Sequence, residues 1–425
     1  MDEMFNIVVV CVSSFFMSRS ISKLLHNKGN LLDYCFLAFY MVQVIPLVVQ
    51  LFAGIPDVLH HVNVGYAMND SITNYIYGII IIVVSLLMSR LSSKLNPQLL
   101  PSGSFKSTVG FFNVVLTVAM FAPLFAVAFS PDPSIYLKFS YFYTQSFDDN
   151  SYLYLFHRTV VTSCVLLSVV ALLFKYFRKK PSDSQWIYYL AIFISTWIDG
   201  KRTIFLFMLI GILAVDLIKG NYSNKLIQKK QIYKTVFFAS LVIIYFFAYN
   251  QETGKGEDSE FYYLYTFYFS RMSIVKTAIY DQLYTNSMLE YPCQTILFNV
   301  LLWIPRVIWP TKPVMYCIYF TSYADGSTSQ LDYNLQVSAW SEFVSNFGII
   351  LGPIIVCLFF YYMAKISINT KSNIIYLLCT AFCVLYSVYG FEHIISYIFY
   401  LWIALVASRK LFSKSKHKKQ IILAK

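Results

Sequence analysis

Residues 73–89 read TNYIYGIIIIVVSLLMS, seventeen consecutive positions without a charge. An α-helix rises about 1.5 Å per residue, so such a run covers about 25 Å of a hydrocarbon core about 30 Å thick. Runs of the same kind recur in both directions along the chain, near 4–18, 33–53, 108–130, 158–174, 186–198, 203–218, 235–249, 343–364, 372–389 and 394–408. The runs 186–198 and 235–249 are short for a full crossing and fit tilted or half-buried helices. The expected fold class is therefore an all-α polytopic membrane protein of about eleven transmembrane helices, forming a single membrane domain over 1–425. Composition agrees: the chain is 58% hydrophobic and only 13% charged, with a mean hydropathy of +0.59, which excludes an ordinary water-soluble domain.

Charge gives the expected orientation. Of the 33 basic residues, 24 fall on alternate connections (19–32, 90–107, 175–185, 219–234, 365–371) and on the basic tail 409–425, while 18 of the 21 acids fall on the other set. Basic loops stay cytoplasmic, so the positive-inside rule puts the N-terminus outside, in the periplasm, and the C-terminus in the cytoplasm of a bacterial inner membrane. No basic stretch precedes the first apolar run, and a cleavable signal peptide is not expected. The net charge of +12 then reports topology, with membrane lipid rather than nucleic acid as the partner of the cations.

The outer connections are unequal, and 250–342 is by far the longest. Long polar loops on a rigid scaffold commonly carry function. Within it, 251–260 is a polar exit from the membrane, 261–284 reads as a helix rich in Tyr and Phe, and 299–308 is an apolar segment broken by Pro305 and Pro310. Proline forbids a continuous helix there, which points to a re-entrant or interfacial segment. Cys293 and Cys317 lie in this loop, where a disulfide and two free thiols fit equally well; the other six cysteines sit in the spans.

Several side chains stand out as candidates. Asp199-Gly200-Lys201-Arg202 forms a charged turn between two spans on the outer side, where cations are scarce. Trp303-Ile304-Pro305-Arg306-Val307-Ile308-Trp309-Pro310-Thr311-Lys312-Pro313 reads as a rigid cationic platform, with an interfacial loop anchored by Trp as the plainer alternative. Arg158 and Arg271 are further outer cations that either anchor helices or join Arg202 and Arg306 over an anion; guanidinium suits bidentate contact with phosphate. Glu342 and Asn346, four residues apart, share one helical face at the outer boundary, where a carboxylate is costly unless paired or functional. His393 follows Glu392 in the last outer turn and is either structural or a base. No phosphate-binding glycine loop, metal spacing or Asp-x-Asp pair occurs.

The Gly200-Lys201-Arg202 turn, the run from Ile304 to Pro313 and the entry Glu342-Phe343-Val344-Ser345-Asn346-Phe347-Gly348 resemble, in order and spacing, the Wzy-type oligosaccharide repeat unit polymerases, the O-antigen and capsule polymerase family. The resemblance covers roughly the second half of the chain. It implies a GT-C-like helical bundle that moves a growing glycan from undecaprenyl pyrophosphate to a hydroxyl of the next lipid-linked repeat unit. It further implies a metal-independent glycosyltransferase without cofactor, a lipid-linked oligosaccharide as partner, and room for a chain-length regulator protein. Lys201, Arg202, Arg306 and Lys312 would hold the pyrophosphate with Arg271 assisting, and Arg158 and Asn346 would make secondary contacts. Glu342, or else His393, would be the base, with Arg202 in the catalytic set. An O-antigen ligase and a polysaccharide flippase or transporter are the alternatives.

Overall fold

The computed structural model describes residues 2–26, 28–55, 61–97, 110–137, 152–177, 186–200, 270–327, 334–369 and 373–391, with isolated positions from 204 to 244 and at 394. All regular structure among these residues is helical. Five helices are long and apolar enough to cross a membrane: Glu3–Leu25, Leu31–Ala53, Ser71–Ser93, Tyr152–Tyr176 and Ala339–Asn369. Trp186–Asp199 and Leu378–Val388 are shorter apolar helices. They coincide with seven of the expected spans. The expected spans at 203–218, 235–249 and 394–408 and the tail 409–425 lie outside the described residues apart from isolated positions.

The chain divides into two compact units, 1–99 with 259–398, and 100–258 with 399–425. In the first, helix Asp2–Leu25 packs along helix Ser71–Ser93, and both meet Leu31–Ala53. One end is closed by a polar clasp. The carboxylate of Asp33 is fully buried and lies 3.9 Å from Lys23 Nζ. It accepts a hydrogen bond from Ser92 Oγ (2.9 Å) and completes a capping box with Asn30. Lys23 also donates to Ser92 Oγ at 3.0 Å, and Asn30 Nδ2 donates to the Ser92 carbonyl at 3.0 Å. The connections expected to share the basic side, 19–32 and the start of 90–107, thus sit at the same end.

At the other end, Asp70 caps helix Ser71–Ser93, accepting from the Thr73 amide (2.8 Å) and hydroxyl (2.7 Å). Tyr284 OH donates to the same carboxylate at 3.1 Å, and Asn63 Nδ2 donates to the Tyr323 carbonyl at 2.6 Å. Residues of the expected outer loops 54–72 and 250–342 therefore come together there.

Between the two ends the helices are interrupted, and each interruption has a cause. Leu31–Ala53 contains a π turn at Tyr40–Val44 followed by Pro46. Proline supplies no N–H, and the wider turn opens the carbonyls before it. Two of these are filled from outside the helix: the Val42 carbonyl by the Arg271 amide at 2.8 Å, and the Gln43 carbonyl by Tyr77 OH at 2.9 Å. Helix Met272–Tyr280 consequently starts halfway along Leu31–Ala53, inside the unit, and all its residues except Tyr280 are buried. The helix expected over 261–284 is thus Met272–Tyr280, buried over 272–279, with a closing π turn at Asp281–Thr285 that reaches the surface, while 261–269 lie outside the described residues.

Helix Ala339–Asn369 bends at Gly348, whose φ of 82° favours glycine. A Cβ on Gly352 would come within 2.5 Å of the Phe343 carbonyl oxygen. Nine residues span about 13 Å in a straight helix, so the arms 339–347 and 349–369 lie side by side. The longer arm is about 31 Å long and still reaches across a bilayer. The expected single span at 343–364 is therefore this arm, preceded by a short helix that doubles back.

In the second unit, Thr162–Phe177 packs on Gly110–Met120, Ala122–Ala128 and Trp186–Asp199. The span expected at 108–130 is broken at Phe121: the Leu124 amide bonds the Phe121 carbonyl, and Ser168 Oγ takes the Met120 carbonyl.

Candidate functional site

The most elaborate polar cluster in the first unit is built around Glu342, in the first turn of the 339–347 arm. The residue is fully buried. Its Oε1 accepts from Thr295 Oγ1 at 3.0 Å and Asn299 Nδ2 at 2.7 Å, and its Oε2 from Tyr386 OH at 3.0 Å. One helical turn on, Asn346 Nδ2 donates to Thr295 Oγ1 (2.8 Å) and to the Glu342 carbonyl (2.7 Å), and its Oδ1 accepts from the Thr295 amide (3.3 Å). Three separate stretches meet at one carboxylate: helix Gln294–Val300, the 339–347 arm and helix Asn373–Val388. The first turn of a helix favours a negative charge, and neutral donors supply the solvation that burial removes.

The short helix Gln294–Val300 links this cluster to the Trp-Pro loop. Asn299 faces Glu342, while the ring of the preceding Phe298 lies 5.0 Å from Lys312 Nζ. Lys312 is buried and donates to the carbonyls of Leu302 (2.8 Å) and Ile304 (2.9 Å). Arg306 bonds the carbonyls of Lys312 (2.8 Å) and Pro313 (3.1 Å). Prolines 305, 310 and 313 bring no N–H to this loop, and the two cations satisfy its carbonyls instead. Arg306 remains exposed, beside Val307 (93% exposed), Trp303 (77%) and Ile308 (75%). Of the two cations expected on a platform, Lys312 is turned inward as a clasp on the loop's carbonyls and Arg306 stays at the surface.

Arg271 lies beside Gln336 and Val388, close to the N-terminal end of the 339–347 arm. It is buried, donates to the Val388 carbonyl (2.7 Å), the Ser270 carbonyl (2.8 Å) and Gln336 Oε1 (2.7 Å), and sits 5.5 Å from the Tyr389 ring. One turn further along, Lys276 is also buried, donating to Gln50 Oε1 at 3.0 Å with the Tyr77 ring 5.3 Å away. Lys201, Arg202 and His393 lie outside the described residues, as does the side chain of Arg158. Cys293 is exposed and Cys317 buried, and both are free thiols.

Sequence reasoning found Glu342 and Asn346 but not their partners Thr295, Asn299 and Tyr386. It also passed over His61, whose Nδ1 bonds the carboxylate of Asp325. Thr295 and Asn299 carried a usable signal, being polar residues four apart on a short helix.

The helices and their apolar surfaces define a helical membrane protein. Comparisons with protein-family models, with curated proteins and with solved structures return no match to this chain.

Proposed function

We propose that this chain polymerises undecaprenyl-pyrophosphate-linked oligosaccharide repeat units into O-antigen or capsular polysaccharide at the periplasmic face of a bacterial inner membrane. One observation supports the reading above the others. Two of the three segments that carry the family resemblance, 304–313 and 342–348, are built around the same short helix, Gln294–Val300, although some thirty residues separate them in sequence.

In the reaction, a hydroxyl of the incoming unit attacks the anomeric carbon of the donor glycan. The carbon–oxygen bond to pyrophosphate breaks, the lipid pyrophosphate leaves with the electron pair, and the hydroxyl proton passes to a base. Negative charge grows on the leaving group, where guanidinium donors stabilise it most. Arg306 and Arg202 take that role, Lys312 holds the loop that presents Arg306, and Glu342 accepts the proton once a substrate hydroxyl displaces one of its donors.

A transporter has one observation in its favour: short helices that start inside the bundle and buried cations such as Arg271 and Lys276 are features of transport sites. Deleting the gene in its host separates the readings. Loss of a polymerase leaves single repeat units on the acceptor, loss of a ligase strands finished chains on the carrier, and loss of a flippase blocks both. Arg202→Ala and Arg306→Ala, each inserted normally, are expected to reproduce the single-unit phenotype; long chains of normal distribution in both variants overturn the assignment.

A further inference from the structure

Helix Asp2–Leu25 turns an apolar face away from the first unit, including Met4 (76% exposed), Val8 (52%) and Phe15 (66%). That face ends in a concavity of about 500 Å³ lined by Ser18, Arg19, Ser22, Lys23, His26 and Lys28. The spacing explains the grouping. Phe15, Arg19, Ser22 and His26 follow at intervals of four, three and four, with Lys23 four beyond Arg19, so apolar surface passes directly into cationic surface along one side of the helix. The cations are not equivalent. Lys23 already faces Asp33 and the hydroxyls of Ser92 and Ser93. Arg19 and Lys28 are exposed and meet no carboxylate among the described residues. His26 Nδ1 donates to the Ser22 carbonyl at 2.7 Å, which leaves Nε2 as the nitrogen available to a ligand.

We propose that this concavity holds the headgroup of an anionic phospholipid, its phosphate between Arg19 and Lys28 and an acyl chain along Phe15. The shared chemistry is a phosphate; the adjoining exposed apolar face favours one that carries a hydrocarbon tail over one free in solution. Basic residues spread over a membrane face attract anionic lipid in general, whereas here one open concavity gathers four basic side chains within ten residues. The site is independent of the enzymatic reading and lies at the opposite end of the first unit from Asp70 and Tyr284.

The test uses the full chain, purified in a neutral detergent and examined by native mass spectrometry with phosphatidylglycerol, with phosphatidylethanolamine, and with inorganic phosphate as competitor. One phosphatidylglycerol is expected to stay bound under conditions that strip phosphatidylethanolamine, and millimolar phosphate is not expected to displace it. R19A/K28A should weaken binding roughly 30-fold, from about fivefold for each basic residue removed. Both side chains are exposed, so the melting temperature should not move; if that variant does not insert, R19Q/K28Q gives the same readout with less change of volume. Equal retention of the two lipids, or unaltered binding in the variants, overturns the proposal. Displacement by phosphate assigns the recess to a soluble anion and overturns the lipid as its occupant.

Discussion

Replacing Glu342 by Gln and by Ala separates what the carboxylate does for the fold from what it does in the proposed reaction. Glutamine can reuse the existing partners. Its carbonyl oxygen accepts from Thr295 and Asn299 as Oε1 does now, and its amide donates to Tyr386, whose hydroxyl rotates to accept. Each hydrogen bond weakens by about 1 kcal/mol as the charge is removed, and relief from burying that charge returns part of the loss, so Glu342→Gln should cost about 1–2 kcal/mol. Alanine instead leaves three donors without an acceptor inside the unit, at about 1–3 kcal/mol each, for a total of at least about 3 kcal/mol. Chemistry should follow the opposite logic: a lost general base lowers the rate about 10²- to 10⁴-fold even where the fold survives. Thermal unfolding of both variants in detergent, set beside polysaccharide length in the complemented host, reads the two effects. A Glu342→Gln variant that polymerises at the normal rate refutes the base, and a Glu342→Ala variant that melts with the parent protein refutes the structural role of the polar cluster.

Other outcomes follow from the same geometry. Gly352→Leu drives side-chain atoms into the Phe343 backbone and should lower stability by about 1–3 kcal/mol or more, seen as loss of folded protein after extraction. Burial pushes the Asp70 carboxyl up, but the amide and hydroxyl of Thr73, the hydroxyl of Tyr284 and the amide of Ile72 together hold it below its ordinary value. Its contribution is therefore present above about pH 4 and is lost as pH falls through the lower folded-state value. Asp70→Ala should cost about 1 kcal/mol at neutral pH and flatten the melting profile in acid, measured by unfolding between pH 7 and pH 2. A membrane-impermeant maleimide should label Cys293 and spare Cys317, and reduction should leave the mass unchanged.

Hydropathy made the spans legible because lipid imposes one demand everywhere along them. The interruptions were not legible, since the run 33–53 stays apolar through its π turn and Pro46, and only packing shows that Arg271 and Tyr77 complete its open carbonyls. Likewise 343–364 gives no hint that Gly348 folds 339–347 back against the arm that follows. In the site, the four-residue spacing of Glu342 and Asn346 placed them on one face, as found. Their donors come from 295, 299 and 386, contacts that no local pattern encodes. The Trp-Pro loop read as a rigid cationic platform, but its three prolines leave the backbone short of N–H donors, and Lys312 and Arg306 turn to its own oxygens.

The clasp at Asp33 carries a consequence for how the chain is made. Asp33 leaves the ribosome 59 residues before Ser92, an interval of about 3–12 s at about 5–20 residues per second. During that wait only Ser20, Lys23 and Asn30, among the described partners of the finished clasp, already exist to escort the carboxylate as the second helix inserts. A chain lacking the Lys23 ammonium should therefore suffer at birth more than in maturity, with insertion yield falling further than the melting temperature of whatever protein survives.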